Sequence, residues 1–462
     1  MTDVSRSVAT RQHPAPRLPL RAIGCGVLLF IPVCAAGLFW WMLRTEPLVE
    51  RLVREANAFE GAAHPRPAHV IPPVSGTFAQ AVEPLLPEVL QVPEPEPDSV
   101  ARPQEDDEAA SEAWSRAFTM LHEQCRKGAS GMAPLETMPL PCRKELENGR
   151  ELMRRVLDAT HAEIGGLPAG VGSLSRSDFS LHPSGMRALS RVVQWAALES
   201  RFLLAAGHPE QAVDTCLDAL ALSRELSLGG GLHGGKLSAK AQEAAYRPCA
   251  AALDAAPVRR KKQALEQLAR LWEGLPPPSA LLREESVFQQ LAVFGPEFFP
   301  TEAISRLPPA GRTLITSRGG WFYFPDRLGH PLLRQYLWRR NVSLFDAMVS
   351  EADLPPLERQ RTFTRLDAQY GLLASLPGAV HAVEYQRELA AMDVQRLQAV
   401  VLVTLVQVDI ARVEQGLWPA TLPEGAEQLL RLEVLSGQEA RLVPGDAALE
   451  AHVLRLTADE AR

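Results

Sequence analysis

Four cysteines have a spacing that could support covalent chemistry between their thiols. They form two pairs, Cys125 with Cys142 and Cys216 with Cys249. Each pair lies on either side of a segment rich in glycine or proline, and helical patterns flank both segments. When two helices fold back on each other, residues at mirror positions about the turn come together. We therefore predict two disulfides, which indicate an oxidising compartment; the alternative is four buried free thiols.

The first cysteine pair also has the residue types of a zinc site. His122 lies three residues before Cys125, so the two side chains can share a helix face near Cys142. Zinc accepts such ligands, but it takes four of them in a structural site. The fourth would have to be His161 or a carboxylate, and the spacing does not supply it. The sequence therefore favours a disulfide, and we predict no metal.

Three further patterns suggest enzymes but are incomplete. Residues 230–236 superficially fit a phosphate-binding loop, yet Leu237 stands where such a loop needs a hydroxyl. His381 and Glu384 lack the second histidine of a zinc protease. A polar cluster contains Ser177, Asp178, His182 and Ser184. Because a catalytic triad is normally assembled from distant segments, we interpret this cluster as a loop. No catalytic residue and no cofactor are predicted.

Charged residues occur in two segments that the sequence predicts to be helical. The basic run 259–262 opens a helix after Pro257, and we interpret it as a solvated helix end. The alternative is a contact with an acidic partner or with lipid headgroups. Asp409 and Arg412 lie one turn apart in the apolar segment 400–413, where they can pair. That segment is too short and too polar for a membrane span, so it predicts a central core helix.

An aromatic segment offers the most plausible contact with a partner. The residues are Trp321, Phe322, Tyr323 and Phe324. They lie within a proline- and glycine-rich stretch, 295–331, which predicts an irregular insert packed on the helices. Two interpretations stay open: the rings cap the core, or they form an exposed lip that docks a partner, since exposed aromatic patches are rarely without a role.

Apolar residues three and four apart predict helices through most of the chain after residue 108. The expected helices span 109–127, 141–164, 184–206, 209–227, 236–255, 257–274, 279–294, 332–350, 356–375 and 378–415. Short breaks between them favour antiparallel neighbours. Only the tail, 426–462, alternates enough for two short strands. The predicted fold is all-α, with a helical domain over 109–425.

The N-terminal part is expected to hold this domain at a membrane. Residues 22–43 carry no charge and lie between Arg21 and Arg44. A helix of this length spans roughly 33 Å, enough for a bilayer core. A cleaved signal peptide is the alternative. Residues 1–21 would be a cytoplasmic tail and 44–60 a juxtamembrane helix. Residues 61–108, rich in proline and acidic, predict an extended linker with one short helix near 78–90.

The charge distribution excludes one class of partner. Residues 1–43 carry a net charge of +3, so the rest of the chain carries -10 of a total of -7. A body this acidic repels a phosphate backbone, and we expect no nucleic acid partner.

Two segments resemble known families. Residues 204–222 (LAAGHPEQAVDTCLDALAL) resemble the second half of a tetratricopeptide repeat, with small residues at Gly207, Ala212 and Ala219. Residues 280–285 (ALLREE) and 414–422 (EQGLWPATL) resemble segments of an uncharacterised family of membrane-anchored, helical bacterial envelope proteins. That resemblance implies an anchored helical domain and no particular activity.

The sequence therefore predicts a single-pass protein of a bacterial inner membrane. Its N-terminus would be cytoplasmic and its main domain periplasmic. The expected function is non-enzymatic interaction with another envelope protein or peptide. The alternative is an envelope hydrolase whose site lies between the helical body and the aromatic insert, lined by His330, Arg334, Glu384 or Asp409.

Overall fold

A computed structural model describes most of the chain after residue 45. The described residues are 37, 46–60, 62–65, 68–97, 108–168, 171–172, 185–293, 299–316, 331–371, 374–375, 379–437, 439–445 and 454–457. The predicted membrane span 22–43, the tail before it and the aromatic segment 321–324 lie outside this part, apart from Gly37.

The described part is mostly helical. In chain order the helices are α1 (Glu46–Phe59), α2 (Phe78–Val82), α3 (Leu86–Gln91), α4 (Glu108–Ala129), α5 (Leu140–Ala159), α6 (Gly185–Ala205), α7 (Pro209–Glu225), α8 (Gly231–Ala255), α9 (Val258–Trp272), α10 (Pro278–Val293), α11 (Thr301–Arg306), α12 (Pro309–Thr316), α13 (Pro331–Glu351), α14 (Pro356–Gln369) and α15 (Ala382–Gln415). The ten helices predicted after residue 108 are confirmed, with ends that differ by a few residues.

Proline and glycine set many of the helix ends. Pro209 and Pro356 occupy the first turn of α7 and α14, where a missing N–H costs nothing. Gly416 ends α15 in the left-handed conformation, with φ of 72°, and its N–H caps the carbonyl of Arg412. These residues explain why short breaks in the sequence separate long helices.

Two small sheets accompany the helices. The first has the order β1-β3-β2, from His64–Pro65, Ala162–Gly165 and Val74–Thr77. The second is an antiparallel meander of β4 (Leu430–Val434), β5 (Glu439–Pro444) and β6 (Leu454–Thr457). The sequence predicted the last two strands. It did not predict β4 or any strand of the first sheet.

The largest core lies where α6, α7, α8 and α15 pack together. Its alanines are fully buried, including Ala196, Ala212, Ala219 and Ala241, and they allow the helices to approach closely. Two smaller cores adjoin it. One joins α1 to α10–α13, and the other joins α13, α14 and α15.

The expected linker is not extended where the structure describes it. Apolar residues of 78–89 lie in the main core, and Phe78, Val82 and Val89 have no exposed surface. Their spacing of three to four residues gives α2 and α3 one apolar face, which packs on α5 and α6. Helix α1 likewise packs against the domain, with a bidentate contact from Arg51 to Asp346. Prolines interrupt this segment, but the burial of its apolar residues holds it against the helical domain.

The described part of the aromatic-rich region also has more regular secondary structure than its composition predicts. Two short helices, α11 and α12, occupy 301–316 instead of an irregular insert. Phe288, Phe299, Trp338 and Phe345 are buried, so these rings form core. Trp338 also donates from its indole N–H to Gln290 Oε1 at 3.0 Å.

Within the described residues one helix, α15, is long and apolar enough to cross a membrane. Of its most apolar window, 61% is buried inside the protein. Its central residues Val401, Leu402 and Leu405 belong to the main core. We therefore interpret α15 as the central core helix, as the sequence predicted.

Candidate functional site

The two predicted cysteine pairs are close enough for disulfide bonds. The Cα atoms of Cys125 and Cys142 are 5.5 Å apart and join α4 to α5. Those of Cys216 and Cys249 are 5.3 Å apart and join α7 to α8. Both distances fit disulfide geometry. A disulfide between Cys125 and Cys142 leaves neither sulfur as a thiolate, so it is incompatible with a zinc site that combines them with His122.

His122 instead lines a groove. Its ring lies 4.1 Å from the Phe118 ring on the same helix face, measured between centroids. Burial lowers the pKa of His122 below its ordinary value, although Glu94 and Glu145 act in the opposite direction. The imidazole is therefore held neutral at physiological pH.

The glycine-rich segment that resembles a phosphate loop is occupied by the protein itself. Gly230 caps α8, and the N–H of Gly231 donates to Glu284 Oε2 at 2.6 Å. A carboxylate of α10 thus takes the position that a phosphate would need. The helical-hairpin interpretation is confirmed.

The basic run 259–262 is only in part a solvated helix end, because Arg259 and Lys262 are exposed as predicted but the two residues between them are not. Arg260 and Lys261 are buried, with relative exposures of 8% and 6%. Arg260 donates to Asp214 at 2.6 Å, and Lys261 contacts Asp409 Oδ2. Their positions extend the apolar face of α9 back by one turn, so the side chains point at α7 and α15 and must be paired there.

The residues proposed for a hydrolase do not converge. Glu384 and Asp409 lie at opposite ends of the single helix α15, separated by about 37 Å at 1.5 Å per residue. Asp409 also pairs with Arg412 at 3.3 Å, as predicted. His330 and the side chain of Arg334 lie outside the described part. This geometry gives no support to a site formed by all four.

A groove of about 760 Å³ opens beside α4. Its walls are the segment after α3 and the helices α4, α6 and α8. Its lining residues are Leu90, Gln91, Val92, Pro93, Glu94, Phe118, His122, Arg126, Arg187, Ser190, Arg191, Gln194, Leu237, Lys240 and Glu243. The volume lies in the range typical of ligand pockets. We call this cavity the α4–α6 groove.

Charge in the α4–α6 groove is opposite to that of the whole chain. Its lining has four permanent cations and two carboxylates, a net +2. Arg126 and Arg191 are already engaged by Glu123 and Glu145, at 2.8 and 2.7 Å. Arg187 and Lys240 are exposed on the rim.

Phe118 and His122 give the α4 wall of the groove two rings, and Trp114 continues the row along the same helix outside the lining residues. Trp114 and Phe118 stack at 4.9 Å, and Phe118 contacts His122 in turn. These residues are four apart, so they share one face of α4. The disulfide Cys125–Cys142 fixes the C-terminal end of this wall to α5.

A second arrangement brings together three residues that the sequence did not connect. His69 precedes β2, His161 follows α5, and Asp218 lies on α7. The Nε2 atoms of both histidines contact the same oxygen, Asp218 Oδ1, at 2.6 and 3.0 Å. The two rings meet edge to face, with centroids 5.3 Å apart. We call this group the His–Asp–His cluster.

The environment of the cluster favours a neutral His69 and an ionised Asp218. Burial lowers the pKa of His69, and the hydrogen bond to Asp218 only partly offsets this effect. Burial would raise the pKa of Asp218, but hydrogen bonds from His161 and His69 outweigh it and lower the pKa below its ordinary value. His69 is almost fully buried, while the Asp218 and His161 side chains keep 18% and 22% exposure.

The sequence indicated His161 as a possible ligand but gave it the wrong neighbours. His69 fell in the segment interpreted as a linker, and Asp218 lies on a helix that was interpreted by Cys216 and by its small residues. Contacts across 149 and 57 residues leave no local pattern.

Compared with known protein families, curated proteins and solved structures, the chain matches none of them. The resemblances to a tetratricopeptide repeat and to envelope proteins therefore stay predictions.

Proposed function

We propose that this chain is a single-pass inner-membrane protein whose helical domain is a binding module in the periplasm. Residues 22–43 would form the anchor, with the N-terminus in the cytoplasm. Two cysteine pairs at disulfide distance support an oxidising compartment for the domain.

The α4–α6 groove is the proposed binding surface, and its basic, aromatic lining on an acidic chain is the observation that carries the proposal. Arg187 and Lys240 would hold carboxylates of the partner at the rim. Phe118 and Leu90 would contact apolar side chains between them. The proposed occupant is an extended acidic peptide segment of another envelope protein that also carries aromatic or apolar residues.

A peptide fits this surface better than a nucleic acid does. Residues 44–462 carry a net charge of -10, so a long phosphate backbone would be repelled outside the groove. A short segment can make its contacts inside the groove, whose lining combines four cations with the rings of Phe118 and His122. The aromatic segment 321–324 is a second proposed contact, on the strength of its composition alone.

Site-specific crosslinking tests the groove. A photoreactive phenylalanine analogue replaces Phe118 in the full-length chain, and a matched variant carries it at Leu357. Leu357 is 58% exposed on α14 and does not line the groove. We expect one dominant protein crosslink from position 118, mapping to an acidic segment, and none from position 357. The same product from both positions, or no product from 118, contradicts the proposal.

Peptide mapping without reduction tests the compartment. Full-length protein is alkylated in intact cells and digested, and the four cysteines after the anchor are followed by mass spectrometry. We expect the peptides of Cys125 and Cys142, and those of Cys216 and Cys249, to remain linked. Four alkylated thiols would remove the argument for an oxidising compartment.

A further inference from the structure

The His–Asp–His cluster has the donor set of a transition-metal site. Two imidazole nitrogens and one carboxylate oxygen all lie within 4.8 Å of one another. They come from three separate parts of the chain, so the tertiary fold brings them together. Two histidines and one carboxylate are also the protein ligands of many catalytic zinc sites, which keep a fourth position open for water.

The distances are close to those that a tetrahedral metal site needs. Around a tetrahedral zinc ion with bonds of about 2.0–2.1 Å, neighbouring ligand atoms lie roughly 3.3 Å apart. Here Asp218 Oδ1 lies 2.6 and 3.0 Å from the two Nε2 atoms. These are hydrogen-bond lengths, and they need to open by only a fraction of an ångström to admit the ion.

The ligand atoms have the right chemistry for a metal. A metal takes neutral imidazole and ionised carboxylate, and each ligand nitrogen must offer a lone pair instead of a proton. Nδ1 of His69 is buried and has no hydrogen-bond partner among the described residues. Nothing described on that side of the ring fixes the tautomer, so the single proton of a neutral ring can reside on Nδ1 and leave the Nε2 lone pair for an ion.

Access to the cluster is one-sided. His69 closes the inner side, while Asp218 and His161 retain exposed surface through which an ion and a water molecule can reach the site. The charged groups nearest His69 beyond the cluster include Arg224, which opposes a cation. Arg224 is itself paired with Glu225, at 3.3 Å, which reduces that opposition.

We propose that His69, His161 and Asp218 bind one divalent transition-metal ion of the zinc class, with an open coordination position towards solvent. This site is separate from the α4–α6 groove and does not depend on the function proposed for it. The competing explanation is a hydrogen-bonded tie that fastens the segment before β2 to α7.

Metal titration of the full-length protein separates the two explanations. The protein is purified in detergent, stripped with a chelator and titrated with Zn²⁺ by calorimetry. A parallel titration with Co²⁺ follows the visible absorption of a tetrahedral ion. Three variants are compared with the wild type: His161→Gln and Asp218→Asn in the cluster, and His208→Gln as a matched control, since His208 is exposed before α7 and outside the cluster.

We expect one equivalent of Zn²⁺ to bind, and Co²⁺ to give the absorption of a four-coordinate ion. Each cluster variant should bind at least ten-fold more weakly, and His208→Gln should bind as the wild type does. Absence of stoichiometric binding by the wild type would overturn the proposal whether or not the variants fold. Equal affinity of the folded Asp218→Asn variant would overturn it as well.

Discussion

Charged side chains play opposite parts in two regions of this molecule. Between α9 and α15, Lys261 and Asp409 form a buried ion pair, and Arg412 forms a second ion pair with Asp409. In the α4–α6 groove, Arg187 and Lys240 are exposed on the rim. The first region is closed, because each charge already has the partner that burial demands. The second region has cations at its surface, where a partner from outside can reach them. The same residue types thus stabilise the fold in one region and are proposed to bind a ligand in the other.

The largest effect on stability is expected in the closed region. Asp409→Asn would leave Lys261 buried without the carboxylate that neutralises its charge, although the amide oxygen and the carbonyl of Asp254 can still accept hydrogen bonds from its ammonium. We expect the free energy of unfolding to fall by about 3–5 kcal/mol, the usual cost of breaking a buried pair. Denaturant unfolding measures it, and peptide binding should not change.

The paired variant Lys261→Met/Asp409→Leu sharpens this test. Because apolar residues of similar volume can replace a buried pair at little cost, it should recover most of the loss. A double variant no more stable than Asp409→Asn would mean that packing around the pair, and not its charge, holds α9 to α15.

The disulfides are expected to rank next. From loop length, replacing both cysteines by alanine should cost about 3 kcal/mol for Cys125–Cys142 and about 4 kcal/mol for Cys216–Cys249. Only the first pair fixes the α4 wall of the groove. We therefore expect peptide affinity to fall when Cys125 and Cys142 are replaced, and to stay unchanged when Cys216 and Cys249 are replaced. A loss of affinity in the second variant alone would show that peptide binding does not depend on the position of α4.

Glu284 is a third kind of case, because it is a buried carboxyl group that has no cation among its described contacts. Burial raises its pKa to about 7, although the N–H of Gly231 opposes the rise. The native state then keeps a proton that the unfolded state, with a pKa of 4.5, releases. The buried, protonated Glu284 therefore contributes its full stabilisation below pH 4.5, where both states are protonated. As pH rises from 4.5 to about 7, the free energy of unfolding falls by about 3 kcal/mol.

Glu284→Gln should therefore flatten the pH dependence of unfolding over that window and stabilise the protein at pH above 7. The amide oxygen can still accept from Gly231. Denaturant midpoints measured across pH check this, with Glu358→Gln, an exposed residue of α14, as the control. An unchanged slope in Glu284→Gln would mean that Glu284 is ionised in the native protein.

The smallest effect on stability is expected at the groove rim. Arg187→Glu with Lys240→Glu should change the free energy of unfolding by less than about 0.5 kcal/mol, since both side chains are exposed. Affinity for an acidic peptide should nevertheless fall at least ten-fold. Arg361→Glu, an exposed arginine on α14, is the matched control and should bind as the wild type does.

The helices could be predicted from sequence because their signals are local. The segment predicted at 209–227 is α7, Pro209–Glu225, where proline opens the helix and apolar spacing continues it. Mirror positions about a turn were also enough to pair the cysteines. The buried cations had a local signal that went unused: Ala264, Leu268 and Leu271 form a face that continues back to Arg260.

The first sheet and the His–Asp–His cluster had no such signal. Strand β1 has two residues, and β2 pairs with a strand more than 80 residues later, so no alternation marks either. His69 and Asp218 meet only because α2 and α3 dock into the core and bring the preceding segment with them. Long-range packing, which no local pattern encodes, decides both.

The proposed binding role is tested most directly by titrating a fluorescent peptide with the full-length protein in detergent and following anisotropy. The peptide alternates glutamate with phenylalanine, and its control carries lysine in place of glutamate. We predict saturable binding of the acidic peptide alone, weaker at high salt and at least ten-fold weaker in Arg187→Glu/Lys240→Glu. Equal affinity for both peptides, or no loss in the double variant, would contradict the proposed role.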